Sequence, residues 1–288
     1  MKASFIIVNY NRKEELHLTI SSTLKMFDKA HDAYEIIVID NASTDGSTEM
    51  VKQEFPMVSL IENRINMGAP AWNRGFEKAI GEYFILLDDD SQLDSGLESA
   101  LAYMGANEDV GVLALNITGG AFQTAHWNNL SSYAGFIGCG AIIRRSLYQQ
   151  IGGYAEWIFL YTNEYEFGIR AMEAGYKILY FADCHVTHRT SNVNRSSRRL
   201  ITYSVRNEMA IIYKYFNKKH RSIYLFRVYL NNLRGVFEYG ISSIPWYISA
   251  LKEFLKLKKT LIHTPVSLEV EEFYSKDFWS TRKFLGIF

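Results

Sequence analysis

"YFILLDDDSQL", residues 83–93, runs from an apolar stretch straight into three consecutive aspartates. Like charges at the end of a buried strand repel one another and resist desolvation, so the stretch calls for a compensating partner. It is also one strand of a repeating pattern. "SFIIVNY" (4–10) precedes a segment in which Leu16, Ile20 and Leu24 fall at helical spacing, and "YEIIVID" (34–40) precedes the helix-like "GSTEMVKQEF". "VSLIEN" (58–63) precedes a helix expected from about Pro70 to Ile80, and the aspartates lead into another near "SGLESALAYM". Near-continuously apolar strands alternating with amphipathic helices predict an α/β fold, doubly wound, with a mainly parallel sheet covered on both faces. Ligands of such sheets bind at the carboxyl ends of the strands. Tyr10, Asn11, Asp40 and Asp88 to Asp90 therefore share one rim.

The chain of 288 residues is 48% hydrophobic, enough for a large core, and its 31 basic and 31 acidic residues cancel. That balance excludes the global positive field of a protein that holds nucleic acid through phosphates. The balance is uneven along the chain. Residues 1–194 carry 14 Lys and Arg against 24 Asp and Glu, and residues 195–288 carry 17 against 7. An acidic body suits a cation, and a basic tail suits an anionic surface such as lipid headgroups. Cys139 and Cys184 form no CxxC pair and the N-terminus lacks the apolar run of an export signal, so a cytoplasmic protein with reduced thiols is expected.

After Arg195 the pattern turns helical. Phe226, Tyr229, Leu230, Leu233, Val236 and Phe237 fall on one face; such a stripe reads first as core and second as an interfacial helix. The longest uncharged stretch there, Tyr239 to Leu251, is too short to span a bilayer and contains Pro245. The expected organisation is a catalytic domain at 1–195 and a mostly helical basic extension at 196–288, able to touch a membrane peripherally.

Strand alternation points Asp88 and Asp90 to one side and Asp89 to the other. A divalent ion with oxygen ligands is the simplest partner for such a pair, against the plainer reading of a solvated acidic turn. Asp40, ending the strand beside them, reads alone as a turn residue and in company as an acceptor for a base N–H.

The order of "FIIVNYNR", "VIDNASTDGS", "NMGAPAWNRG", "LLDDDSQL", "GCGAIIRR", "IGGY" and "NEYEFGIRAMEAGY", closed by "VTH", resembles the inverting family 2 glycosyltransferases with the GT-A fold. The resemblance implies transfer of a sugar from a nucleotide-diphosphate sugar to a hydroxyl of a carbohydrate or lipid-linked acceptor, with Mn²⁺ or Mg²⁺ as cofactor. It places Tyr10, Asn11, Asp40, Asn66, Gly68, Asn73 and Asp88 at the nucleotide. It assigns the cation to Asp88, Asp90 and His188, with Asp89 as a filler. Where the family shows Glu-Asp-x-Asp at the opening of a helix, this chain reads Asn163-Glu164-Tyr165-Glu166. Glu164 falls on the position of the base. Glu166, Arg170 and Arg195 are the candidates facing acceptor or diphosphate. "YSVRNEMAIIYKY" resembles a helix of bacterial relatives that add sugars such as rhamnose.

Two other classes compete. A sugar-nucleotide nucleotidyltransferase shares the βαβ start but needs a Gly-rich phosphate loop, and "VNYNRKEEL" has no glycine. An inert carbohydrate-binding or assembly subunit is the third reading, to which the altered base motif lends some weight.

Overall fold

The computed structural model describes residues 2–26, 33–120, 123–189 and 196–284. Strands β1 (Ala3–Asn9), β2 (Tyr34–Asp40), β3 (Ser59–Glu62) and β4 (Tyr83–Asp88) alternate with helices α1 (Lys13–Lys25), α2 (Ser47–Glu54) and α3 (Ala71–Lys78). These strands pair in parallel, in the order β3-β2-β1-β4. Their residues alternate between two buried faces as the apolar runs require. Phe5, Ile7, Val38 and Ile85 enter the core beside α1, and Ile6, Ile37, Phe84 and Leu86 the core beside α3.

The second half is mixed rather than parallel. After β5 (Ser91–Ser95) and α4 (Leu97–Ala106) come β6 (Val110–Thr118), β7 (Ala141–Arg144) and α5 (Arg145–Ile151). Helix α6 (Asn163–Glu173) and β8 (Lys177–His188) then complete the eight-stranded sheet, β3-β2-β1-β4-β7-β6-β8-β5. Strand β7 runs antiparallel to both β4 and β6, and β5 antiparallel to β8. This pairing brings His188 directly opposite Ser91, so the last strand returns a histidine to the aspartate turn.

The C-terminal segment comprises α7 (Ser197–Tyr215), α8 (Lys218–Tyr239), a 3₁₀ turn (Ile241–Ser243), α9 (Ile244–Leu257) and α10 (Leu268–Phe284). It is tied to the sheet-bearing part. Asn207 of α7 donates to the carbonyls of Leu160 and Tyr161, Arg206 to that of Trp157, and Asp277 of α10 accepts from the Ala134 amide. The stripe expected as core on α8 is instead open to solvent at Phe226, Tyr229 and Leu230, because α8 packs through Val228 on its other side. The side chains of Leu233 and Phe237 lie outside the described residues. Among the described residues no helix is long and apolar enough to cross a membrane.

Candidate active site

The site forms where β1, β2 and β4 end. Strand β4 stops at Asp88, so Asp89 and Asp90 occupy a turn and strand alternation no longer governs them. Both are buried. Asp89 accepts from Arg12 at 2.9 Å and from the Tyr10 amide at 3.2 Å. Asp90 accepts from the same Arg12 nitrogen at 2.6 Å and stands 3.0 Å from His188 Nε2. Asp89 is therefore no filler; it ties the β1 loop to the aspartate turn. Burial pushes its carboxyl up to about 7, more than Arg12 pulls it down, and the charges of Asp90 and Asp88 add to the rise.

Arg12, which the sequence reading passed over, is thus the internal cation of the cluster. Removing one partner of a buried ion pair costs about 3–5 kcal/mol. Arg12→Met is expected to lower stability by that order in EDTA and to regain part of it with Mn²⁺ and a nucleoside diphosphate. Denaturant unfolding under the two conditions measures this; an equal loss in both contradicts it.

One ligand atom from each of Asp88, Cys139 and His188 lies within 4.8 Å of the others. Neighbouring ligands of a six-coordinate ion bonded at roughly 2.1 Å stand about 3.0 Å apart, and opposite ones about 4.2 Å. An upper limit of 4.8 Å lies near the wider of these spans, so the Asp88–Cys139–His188 group could hold a divalent cation, with Asp90 paired to the same histidine. Cys139, read from sequence as having no chemistry, is part of this group. Burial, with Asp88 and Asp90 nearby, raises its thiol well above the ordinary value.

Glu164 opens α6 beside this group. Its Oε1 accepts from the Gly138 amide at 3.2 Å, one residue from Cys139. Burial raises its carboxyl to about 7, and the charge of Asp88 adds to the rise. The backbone leading to it is strained. Tyr161 and Thr162 hold φ of 65° and 59°, which non-glycine residues seldom adopt, and Asn207 holds the Leu160 and Tyr161 carbonyls at 2.8 Å.

Glu166 and Arg170, the candidates for acceptor or diphosphate, are paired with each other. Glu166, 1% exposed, accepts from Arg170 at 2.7 and 3.0 Å and from the Tyr215 hydroxyl of α7. Arg170 also donates to the Ile151 and Gly153 carbonyls. The i,i+4 spacing of the two was the signal for this pair. Arg195 lies outside the described residues.

The nucleotide candidates mostly brace one another. Asp40, 2% exposed, accepts from Asn9 at 2.9 Å and from the Ser43 amide at 2.8 Å. Asn11, at φ 54°, accepts from the Thr44 amide. Asn66 accepts from Asn41 and from the Gly68 amide. Gly68 is held at φ 67°, where a Cβ would meet the Phe159 carbonyl at 2.0 Å. Asn73 has its amide engaged on both sides by the Tyr154 backbone. Asn41, missed from sequence, is the hub here. It donates to Asn66 and accepts from Asn63 and the Met67 amide.

The β1-β2-β4 rim thus brings together an acidic turn, a returning histidine and a helix-borne carboxyl on a mixed α/β sheet, the architecture of glycosyltransferases with the GT-A fold. The sequence profile described as glycosyl transferase family 2 matches residues 4–165, and the chain belongs to that family. It is 28% identical over 173 residues, 57% of its length, to the uncharacterized glycosyltransferase YibD of Escherichia coli (strain K12). The chain spans about half or less of the length of the curated relatives it matches: 49% of YibD and 41% of a second such protein. Among solved structures it is similar to S. aureus TarS 1-349 in complex with UDP-GlcNAc, at TM-score 0.64 and 18% identity over 95% of this chain and 84% of that one. It is also similar to the mannosyltransferase PcManGT from Pyrobaculum calidifontis in complex with GDP-Man and Mn²⁺, at TM-score 0.61 and 17% identity over 100% and 81%.

Proposed function

We propose that the protein is a cation-dependent, inverting glycosyltransferase that moves a hexosyl group from a nucleotide-diphosphate sugar to a hydroxyl of a carbohydrate or lipid-linked acceptor in glycan synthesis. The observation that carries this reading is the placement of Glu164, bonded to the Gly138 amide beside Cys139, next to Asp88 and His188. A base and a cation site then flank one reaction centre. Glu164 takes the acceptor proton, the hydroxyl oxygen attacks the anomeric carbon in line, and the bond to the nucleoside diphosphate breaks on the opposite side, inverting the configuration. A carboxyl tuned to about 7 is matched to that task near neutral pH. Asp88, Asp90 and His188, with Cys139 alongside, would hold the cation, which neutralises charge on the leaving diphosphate. Carboxylate donors suit Mg²⁺ and Mn²⁺ alike, and the His188 imidazole is a donor that a transition-metal ion such as Mn²⁺ takes more readily than Mg²⁺. That structural neighbours were solved with UDP-GlcNAc, or with GDP-Man and Mn²⁺, supports a donor of this chemistry.

Tyr10 and Asp40 take the base, and Asn11, Asn66, Gly68 and Asn73 shape the wall around it. The proposal keeps two parts, 1–195 and 196–288, with α7 also bracing the base loop. A cytoplasmic placement fits the two unpaired, buried cysteines, and membrane contact through the basic C-terminal helices is of the peripheral kind. Thermal unfolding with a panel of nucleotide sugars, a deoxyhexose donor included because α7 resembles that of rhamnose-adding relatives, tests the donor. One donor class is expected to raise the midpoint only with Mn²⁺ or Mg²⁺ present. Pyrophosphate release from a nucleoside triphosphate would instead mark a nucleotidyltransferase.

A further inference from the structure

The C-terminal helices carry an apolar surface that the rest of the protein leaves uncovered. On α9, Ile244, Ile248, Leu251 and Leu255 follow one another at four, three and four residues and are 39%, 49%, 42% and 45% exposed. The opposite side, Ala250 and Phe254, is buried. Helix α8 repeats the arrangement, with Ile223, Phe226 and Leu230 outward and Val228 inward. Scattered exposed apolar residues are ordinary, but two stripes at helical spacing are not.

Each stripe is bordered by cations. Exposed Lys219 and Arg227 stand on the α8 side, and exposed Lys252, Lys256 and Lys259 along the α9 side. An apolar stripe edged by lysine and arginine, on helices unable to cross a bilayer, is the pattern of a helix lying in the headgroup region. The charge also discriminates between occupants. A second copy would set one basic face against another and repel it, whereas an anionic surface is attracted at about 1 kcal/mol per lysine or arginine.

We propose that the outward face of α9 docks the protein on an anionic phospholipid bilayer, its apolar stripe among the headgroups and its lysines against the phosphates. This names the surface for the peripheral placement above and rests on that reading, while the binding itself needs no transfer activity.

Co-sedimentation of the full chain with vesicles tests it, using phosphatidylcholine alone or mixed with phosphatidylglycerol. Binding is expected to the mixed vesicles and to weaken with salt. Ile248→Asp with Leu251→Asp, and separately Lys252→Glu with Lys256→Glu, should each weaken it by a factor of about ten or more. Both pairs are exposed and outside the site, so circular dichroism and cation-dependent nucleoside diphosphate binding should match the wild type. No binding to mixed vesicles, or binding equal in all variants, overturns the proposal. So does a wild-type dimer broken by Ile248→Asp with Leu251→Asp, which would make a second copy the occupant. Vesicle binding without any nucleoside diphosphate binding would sink the transferase reading and leave this one standing.

Discussion

Glu164→Gln stops sugar transfer, by about a thousandfold or more, and leaves nucleotide-sugar binding close to wild type. The amide keeps the shape of the side chain and can still meet the Gly138 amide through its oxygen, but it cannot accept the acceptor proton. Because the carboxyl sits at about 7, the wild-type rate should rise with pH through that region and level off above it. The same shift has a stability signature. The folded carboxyl is raised from 4.5, so between pH 4.5 and about 7 unfolding releases a proton and stability falls as pH rises. Gln carries no such penalty. At pH 8 the variant should be more stable than wild type by on the order of 1–3 kcal/mol, and near pH 4 almost equal to it. An inert binding subunit would show no turnover with any donor, and the substitution would change nothing in function.

Asp88→Asn is the second large effect. The charge of Asp88 is one of the causes that raise the carboxyls of Asp89 and Glu164, so the group sits in a locally acidic field that a cation would relieve. The variant should lose transfer by about a hundredfold or more, since one anionic ligand of the cation is gone. It should also lower the pH at which the residual rate rises, because Asp88 is one of the groups that push Glu164 up. A rate loss with an unmoved pH limb would mean that the two carboxyls do not sense each other. Asp89→Asn, by contrast, weakens the Arg12 and Tyr10 contacts and reaches the cation group only indirectly, through the Arg12 nitrogen that also holds Asp90.

The first half of the fold was legible because each strand is a short apolar run followed by a helix with its own periodicity; β2 spans the residues the pattern marks. Strands β5, β6 and β7 were not read. "SQLDS" is too polar for a buried strand because it is an edge, and "AIIR" is too short to signal alone. The acidic turn was visible and so was the end of the apolar strand at Asp88, but strand alternation was carried two residues past that end, and the turn there decides which way Asp89 and Asp90 point. Arg12 reaches its aspartates across 77 and 78 residues, and no local pattern announces such a contact. Cys139 looked like a packing residue because nothing in "FIGCGAII" reveals that a strand pairing elsewhere delivers His188 to it. The exposed stripe of α8 has the same periodicity as a core stripe, and only the tertiary packing tells them apart.

The proposed reaction depends on a divalent cation and a diphosphate settling together among Asp88, Asp90 and His188. Calorimetric titration of the nucleoside diphosphate that gives the largest thermal shift, in Mn²⁺ and in EDTA, on wild type and Asp88→Asn, tests it directly. Wild type should bind at least about tenfold more tightly with Mn²⁺, and Asp88→Asn should bind equally under both conditions. Equal wild-type affinity in Mn²⁺ and EDTA, or an undiminished Mn²⁺ effect in the variant, contradicts it.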